Sequence, residues 1–335
     1  MMPNLYRLIF YIFCLFIVSG QLHMDLDLLQ KFEQKTGIHV KIVFFETDET
    51  RDELLAQTQG SGFDVVDVLA NRVEGYVNHG WLAPVDSQLV PNLKHIDPRW
   101  VQAYPELIKH GVPLFWGTEG IAYRPDLLGG KITKWLELLK PEEKLRKHII
   151  MEKDSRNLLG VALKALGYSW NTVESGQIEK ARQLLVAQKS FVRDYGYVGI
   201  DQTSGLVNGD VWATMLYNGD AVAVQSVEPR IAYVIPEEGG LLWMDYLAVL
   251  EKSLHKAEAY AFINFLHEPE NAAQLAQTLH YATTNKSATA MLPADFLNDP
   301  VIYPSQAIVD RSEFPQKLPP RVESKQKNIL RGLLN

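Results

Sequence analysis

Cysteine is almost missing from this chain of 335 residues: Cys14 stands alone. That excludes internal disulfides and any metal or iron–sulfur centre built from cysteine. Positive charge is in deficit as well, with 33 Lys and Arg against 40 Asp and Glu, a net charge of −7. No basic patch of the kind that nucleic acid requires is present, so that partner class is set aside. Long apolar runs are also lacking. Leu8 to Val18 is unbroken but short of the ~20 residues a membrane helix takes, and no later segment is apolar enough to cross. Catalytic signatures are missing too. Gly60-Ser61-Gly62 lacks the further glycines of a dinucleotide loop, and no phosphate-binding Gly-Lys-Ser/Thr stretch or Gly-x-Ser-x-Gly elbow occurs. His267-Glu268 lacks the second histidine of a zinc helix, and the nine histidines are scattered without ligand spacing. Paired acids such as Glu142-Glu143 and Glu237-Glu238 read as solvated faces. The expectation is a binding protein rather than an enzyme, with no cofactor and no metal.

What is present is an ordinary globular composition, 47% hydrophobic and 22% charged, in a length that suggests two lobes. The start combines Arg7, the apolar run and Val18-Ser19-Gly20, which is signal-peptide grammar over residues 1–20 and implies export. The alternative is that Leu8 to Val18 is retained as the first strand of the fold. Downstream, short apolar runs alternate with amphipathic stretches, the pattern of α/β layering. Asp25 or Asp27 caps a helix through Lys35 that stops at Gly37. Strands are expected at His39 to Phe45, Asp64 to Leu69, Val112 to Trp116, Gly120 to Tyr123 and Tyr246 to Leu250. Another is expected at Trp212 to Leu216, ending at Asn218-Gly219. Helices are expected at Asp154 to Leu166, Ser175 to Gln188, Ala257 to Leu266 and Pro269 to Thr278. After Phe314 the prolines 315, 319 and 320 argue against regular structure until the basic stretch Lys325 to Arg331.

Several stretches carry a family likeness in order and spacing. They are Leu28 to Ile38, the acidic turn Glu46 to Thr50, Gly62-Phe63-Asp64-Val65-Val66, Pro113 to Gly117 and Leu163 to Ser169. The most specific is Glu237-Glu238-Gly239-Gly240-Leu241-Leu242-Trp243-Met244-Asp245, followed by Tyr281 to Asn285. Over about residues 26 to 315 the chain resembles the extracytoplasmic solute-binding proteins, in their spermidine/putrescine-binding branch of polyamine ABC transporters. The first helix and the Phe-Asp-Val-Val strand are shared by many solute binders and are weak alone.

The chemistry under that likeness stands independently. A polyamine is a methylene chain ended by ammonium groups. In a closed site those cations require carboxylates, because a buried unpaired charge costs several kcal/mol. Aromatic faces suit the methylenes and attract the cations by about 0.5–2 kcal/mol each. Trp243 and Asp245, two positions apart, face one side if they lie on a strand. The plainer alternative is a core tryptophan and a turn-capping aspartate. The resemblance implies that Asp154, at the start of a helix, binds an amine, although it serves equally as that helix's N-cap. It also implies pocket aromatics at Tyr217 and Tyr281 and a ligand-reaching glutamine near Gln316. Departures matter as much. Three residues after Asp154 the spermidine binders carry a second carboxylate, and here stands Asn157, which hydrogen-bonds but cannot neutralise an ammonium. Ser19 to His23 carries no aromatic, and Leu69 and Asn71 stand where the branch has ligand-touching Ser and Tyr. Glu119 stands where a small or hydroxyl residue is usual. It either compensates for the missing carboxylate or points to solvent.

The resemblance therefore implies an α/β, two-lobed periplasmic-binding-protein fold, type II-like, with a ligand cleft between lobes that close about a hinge. Lobe one is expected at residues 21–118 plus 244–288 and lobe two at 119–243 plus 289–335, after a signal peptide or retained strand at 1–20. Asp154 from one lobe and Asp245 from the other neutralise a small dication. The expected activity is capture of a polyamine in the periplasm, with Asn157 tilting the preference toward diamines such as putrescine. Delivery is to the permease and ATPase subunits of an ABC importer, and the expected state is a monomer. The alternatives are the same fold with another small cationic or organic solute, or a non-transporting, sensory paralogue.

Overall fold

The computed structural model describes residues 14–20, 24–45 and 48–335. Of the leader-or-strand run, residues 1–13 lie outside the described residues, while Cys14–Gly20 form a strand. In chain order the strands are β1 (Cys14–Gly20), β2 (His39–Phe45), β3 (Val65–Leu69), β4 (Val112–Tyr123), β5 (Ile149–Met151), β6 (Val192–Tyr195), β7 (Ala213–Tyr217), β8 (Ala232–Val234) and β9 (Leu241–Val249), with the two-residue β10 (Ala282–Thr283) after them. The chain divides into two compact units. One comprises residues up to Leu114 with Asp245–Leu279 and Thr283–Met291, the other Phe115–Met244 with His280–Ala282 and Leu292–Asn335.

In the first unit β1 lies between β2 and β3 and runs parallel to both, with Ile17 opposite both Ile42 and Val65. β3 pairs antiparallel with the second half of β9, Leu69 facing Asp245. Leu15, Ile17 and Val18 of β1 are fully buried. The helix Leu26–Thr36 begins as the residues dictate: the Asp25 carboxylate accepts the backbone N–H groups of Asp27 and Leu28, and Gly37 takes the left-handed conformation that ends it, φ 74°. Its buried Leu28, Leu29 and Phe32 face inward, and Phe32 meets Phe262 edge-on at 5.1 Å. The other Asp25 oxygen accepts from Gln274 and Thr278, so one side chain caps a helix and ties it to its neighbour.

The second unit is built on β7, which pairs antiparallel with β4 on one side and parallel with β5 on the other; β5 in turn pairs with β6. β8 also pairs with β4. All 12 residues of β4 are buried, so the two short strands expected at Val112 and Gly120 are one continuous strand with no exposed face. The helix Ser155–Ala165 packs its apolar side, Leu158, Leu159, Val161 and Ala162, into the main core of this unit, where Trp135 and Trp170 are also fully buried. The strand expected to end at Asn218-Gly219 does end there, and Asn218 opens a helix to Val227 directly after β7. One reading is corrected. The tail is regular before Lys325, because Pro319 and Pro320 start a helix, Pro320–Leu334, whose first turn needs no proline N–H.

Candidate functional site

The second unit concentrates acids and aromatic rings at one place, and the register explains why. In the β4–β7 pair Glu119 stands opposite Tyr217, so the two side chains share a face. On the other side of β7, Ile150 stands opposite Thr214, which carries Glu152, just beyond β5, toward the same end of β7. Two residues on, Asp154 is the N-cap of the helix Ser155–Ala165, its Oδ1 accepting the N–H groups of Arg156 at 2.7 Å and Asn157 at 2.8 Å. Asp154 is exposed and keeps its second oxygen outside these caps. It is both the cap and a member of the acidic group.

Asn157 is buried and donates from Nδ2 to Glu152 Oε2 at 2.9 Å and to the Tyr217 hydroxyl at 3.1 Å. Glu119 is fully buried and Glu152 is 5% exposed. Among the described residues neither oxygen of Glu119 meets a donor, and neither does Oε1 of Glu152. The alternative that Glu119 points to solvent is therefore corrected: every position of β4 is covered. Burial pushes the Glu119 carboxyl well above the ordinary glutamate range, and the charges of Glu152 and Asp154 push the same way. Burial also raises Glu152, to about 7, against the lowering effect of the Asn157 hydrogen bond. Carboxylates only accept, so the close approach of Glu119 to Glu152 is a hydrogen bond only if one of them holds a proton.

The aromatic residues form a chain of ring contacts beside these acids. Tyr217 meets Trp243 edge-on at 6.5 Å, Trp243 meets Tyr281 edge-on at 5.3 Å, and Tyr281 lies 5.5 Å from Phe115. Trp243 is 8% exposed, its Nε1 donating to the Thr118 carbonyl at 3.3 Å. Two glycines make the close packing possible. A Cβ on Gly219 would lie 2.0 Å from Cε1 of Tyr281, and one on Gly117 would lie 2.3 Å from Oδ1 of Asn218 and 2.4 Å from Cζ2 of Trp243.

Six of the eight residues singled out from sequence thus come together in one unit: Glu119, Asp154, Asn157, Tyr217, Trp243 and Tyr281. Gln316 belongs to that unit but is exposed. Its backbone N–H donates to Asn171 Oδ1, and its carbonyl accepts from Arg156. Asp245 belongs to the first unit, buried in β9 opposite Leu69, which corrects the turn-cap alternative. Sequence reading missed Glu152, which sits in Glu152-Lys153-Asp154 and looks like a solvated charge run. It also missed Asn218, whose Oδ1 accepts from the Thr118 N–H while its buried Nδ2 meets no acceptor among the described residues. The place of Glu152, one residue past a strand and two before a helix cap, does not by itself tell a covered charge from a solvated one.

Comparison with known proteins agrees with this reading of the fold. The chain is 29% identical over 289 residues, 86% of its own length and 82% of the other's, to the spermidine/putrescine-binding periplasmic protein of Escherichia coli K12. It is 30% identical over 287 residues, 85% and 79% of the two chains, to a norspermidine sensor of Vibrio cholerae. Among solved structures, the spermidine/putrescine ABC transporter substrate-binding protein of Streptococcus pneumoniae superimposes with a TM-score of 0.87 at 25% identity, covering 96% of this chain and 98% of that one. The fold class is therefore that of the periplasmic binding proteins. The profile of the bacterial extracellular solute-binding proteins matches residues 27–303, and with that match the chain belongs to this family.

Proposed function

We propose that the protein captures a polyamine, putrescine or spermidine, outside the cytoplasm and delivers it to the permease and ATPase subunits of an ABC importer, binding it without chemical change. The observation that carries this reading is the pairing of two buried carboxyl groups, Glu119 with both oxygens and Glu152 with its Oε1 lacking a donor among the described residues, with the ring chain Tyr217–Trp243–Tyr281. Carboxylates left without donors call for a cation. Rings in series beside them suit a cation that carries methylenes. The relatives in E. coli and S. pneumoniae, both named for spermidine and putrescine, support the same class of ligand. In this reading Asp154 is a ligand for one ammonium and Tyr217, Trp243 and Tyr281 wall the carbon chain.

Calorimetric titration of the full chain with putrescine and with spermidine tests it. Saturable binding is expected, weakened about tenfold or more by Asp154→Asn and by Trp243→Leu, the scale of a lost charge-assisted contact. Failure of both amines to bind overturns the reading. The likeness to a norspermidine sensor supports a second reading, in which the same ligand class is sensed rather than imported. Uptake of labelled putrescine by cells with and without the gene separates the two.

A further inference from the structure

Resting on the polyamine reading, we propose that Glu119 and Glu152 form a paired-carboxylate subsite that takes one ammonium group of the polyamine in exchange for a proton, with Asn157 as the residue that positions Glu152. The acid expected three residues after Asp154 is an amide here. Its Nδ2 points donors at Glu152 and Tyr217, so Asn157 behaves as a support for an acid rather than as a substitute for one. The negative charge is supplied instead from β4, by Glu119, and from the segment just beyond β5, by Glu152.

Three oxygens of the pair, both of Glu119 and Oε1 of Glu152, are buried without a donor among the described residues. An ammonium group has three N–H donors and one positive charge. Donors needed and donors offered are equal in number. Asp154 faces the pair from the helix cap and Asp220 from the helix that follows β7, both acidic. Tyr217 lies across the strand pair from Glu119, Tyr197 bonds to Asp220, and Tyr233 on β8 lies near enough to Glu119 to feel its charge. Among the described residues no lysine or arginine is paired with Glu119 or Glu152. Two adjacent buried carboxylates without a cation cannot both ionise, so the empty pair holds one proton. When the ammonium enters, one carboxyl O–H bond breaks and the proton leaves to bulk water. No electrons move. The pair carries −1 before, as one acid and one carboxylate, and −1 after, as two carboxylates and one ammonium. The low-dielectric site never changes its net charge.

The test is calorimetry with putrescine on the full chain in phosphate and in Tris, which differ in ionisation enthalpy, from about pH 6 to about pH 8. The expected result is a heat that depends on the buffer, corresponding to release of up to about one proton, and an affinity that rises with pH because binding releases that proton. Glu119→Gln and Glu152→Gln are each expected to abolish the buffer dependence and to weaken binding about tenfold or more. Putrescine binding with no buffer dependence, and with affinity retained in both variants, overturns the subsite and leaves the polyamine reading standing. Failure of putrescine and spermidine alike to bind the unaltered chain overturns the polyamine reading, and the subsite with it. Should either variant fail to fold, the two-buffer comparison on the unaltered chain decides alone.

Discussion

Glu119 is an acid in a strand of 12 residues with no exposed position, and its consequences are electrostatic before they are functional. A folded-state carboxyl raised above its unfolded value stabilises the fold where it is protonated. That contribution is complete below the unfolded value of about 4.5 and is lost as pH rises through the folded value, about 7 for Glu152. The ligand-free protein is therefore expected to lose stability between about pH 5 and pH 8. Glu119→Gln, neutral at every pH, should flatten that loss, and melting temperatures measured across the range check it. The same residue shows where sequence reading stops. Asp154 was legible because an aspartate before Ser155-Arg156-Asn157 states its local purpose as a cap. Glu152 was not, because nothing local distinguishes a charge in Glu-Lys-Asp that faces water from one that a neighbouring strand covers. Burial of both glutamates is decided by the pairing of β7 with β4 and with β5, whose partner residues, such as Glu119 with Tyr217 and Ile150 with Thr214, lie far apart in the chain.

At the scale of elements, β1 bears the most weight in its unit. It joins β2 to β3 and contributes Leu15, Ile17 and Val18, all fully buried. At about 1.5–3 kcal/mol for each such side chain, these three alone rival the 5–15 kcal/mol by which a domain is stable. A chain begun at residue 24 also leaves the facing edges of β2 and β3 unpaired. Its first unit is expected to unfold, visible as rapid proteolysis and loss of a cooperative thermal transition against the chain begun before Cys14. Elements with local signals were read well, among them the helix from Asp25 to Gly37 and the helix after Asp154. The helix at Asn218 was not, because Asn-Gly is ordinarily a turn signal and only packing against β7 and β8 gives that stretch its helical course.

At the scale of the molecule, charge and chain path matter most. A net charge of −7 attracts a polycation from a distance, and salt screens that attraction over about 10 Å at 0.1 M. Stopped-flow association of spermidine is expected to slow as sodium chloride is raised, and more steeply than that of putrescine, which carries one charge fewer. Neither unit is a continuous segment: the chain passes from one to the other at Leu114–Phe115, at Met244–Asp245, and again around residues 279–283 and 291–292. The short excursion of His280–Ala282, which brings Tyr281 to Trp243, is a tertiary matter that no local sequence pattern states.

Cys14, half-buried at the first position of β1 and opposite His39, is the chain's only sulfhydryl. Alkylation at one atom therefore becomes a clock for fraying of that sheet margin. Mass spectrometry can read it without any engineered label, molecule by molecule, while the rest of the protein stays silent.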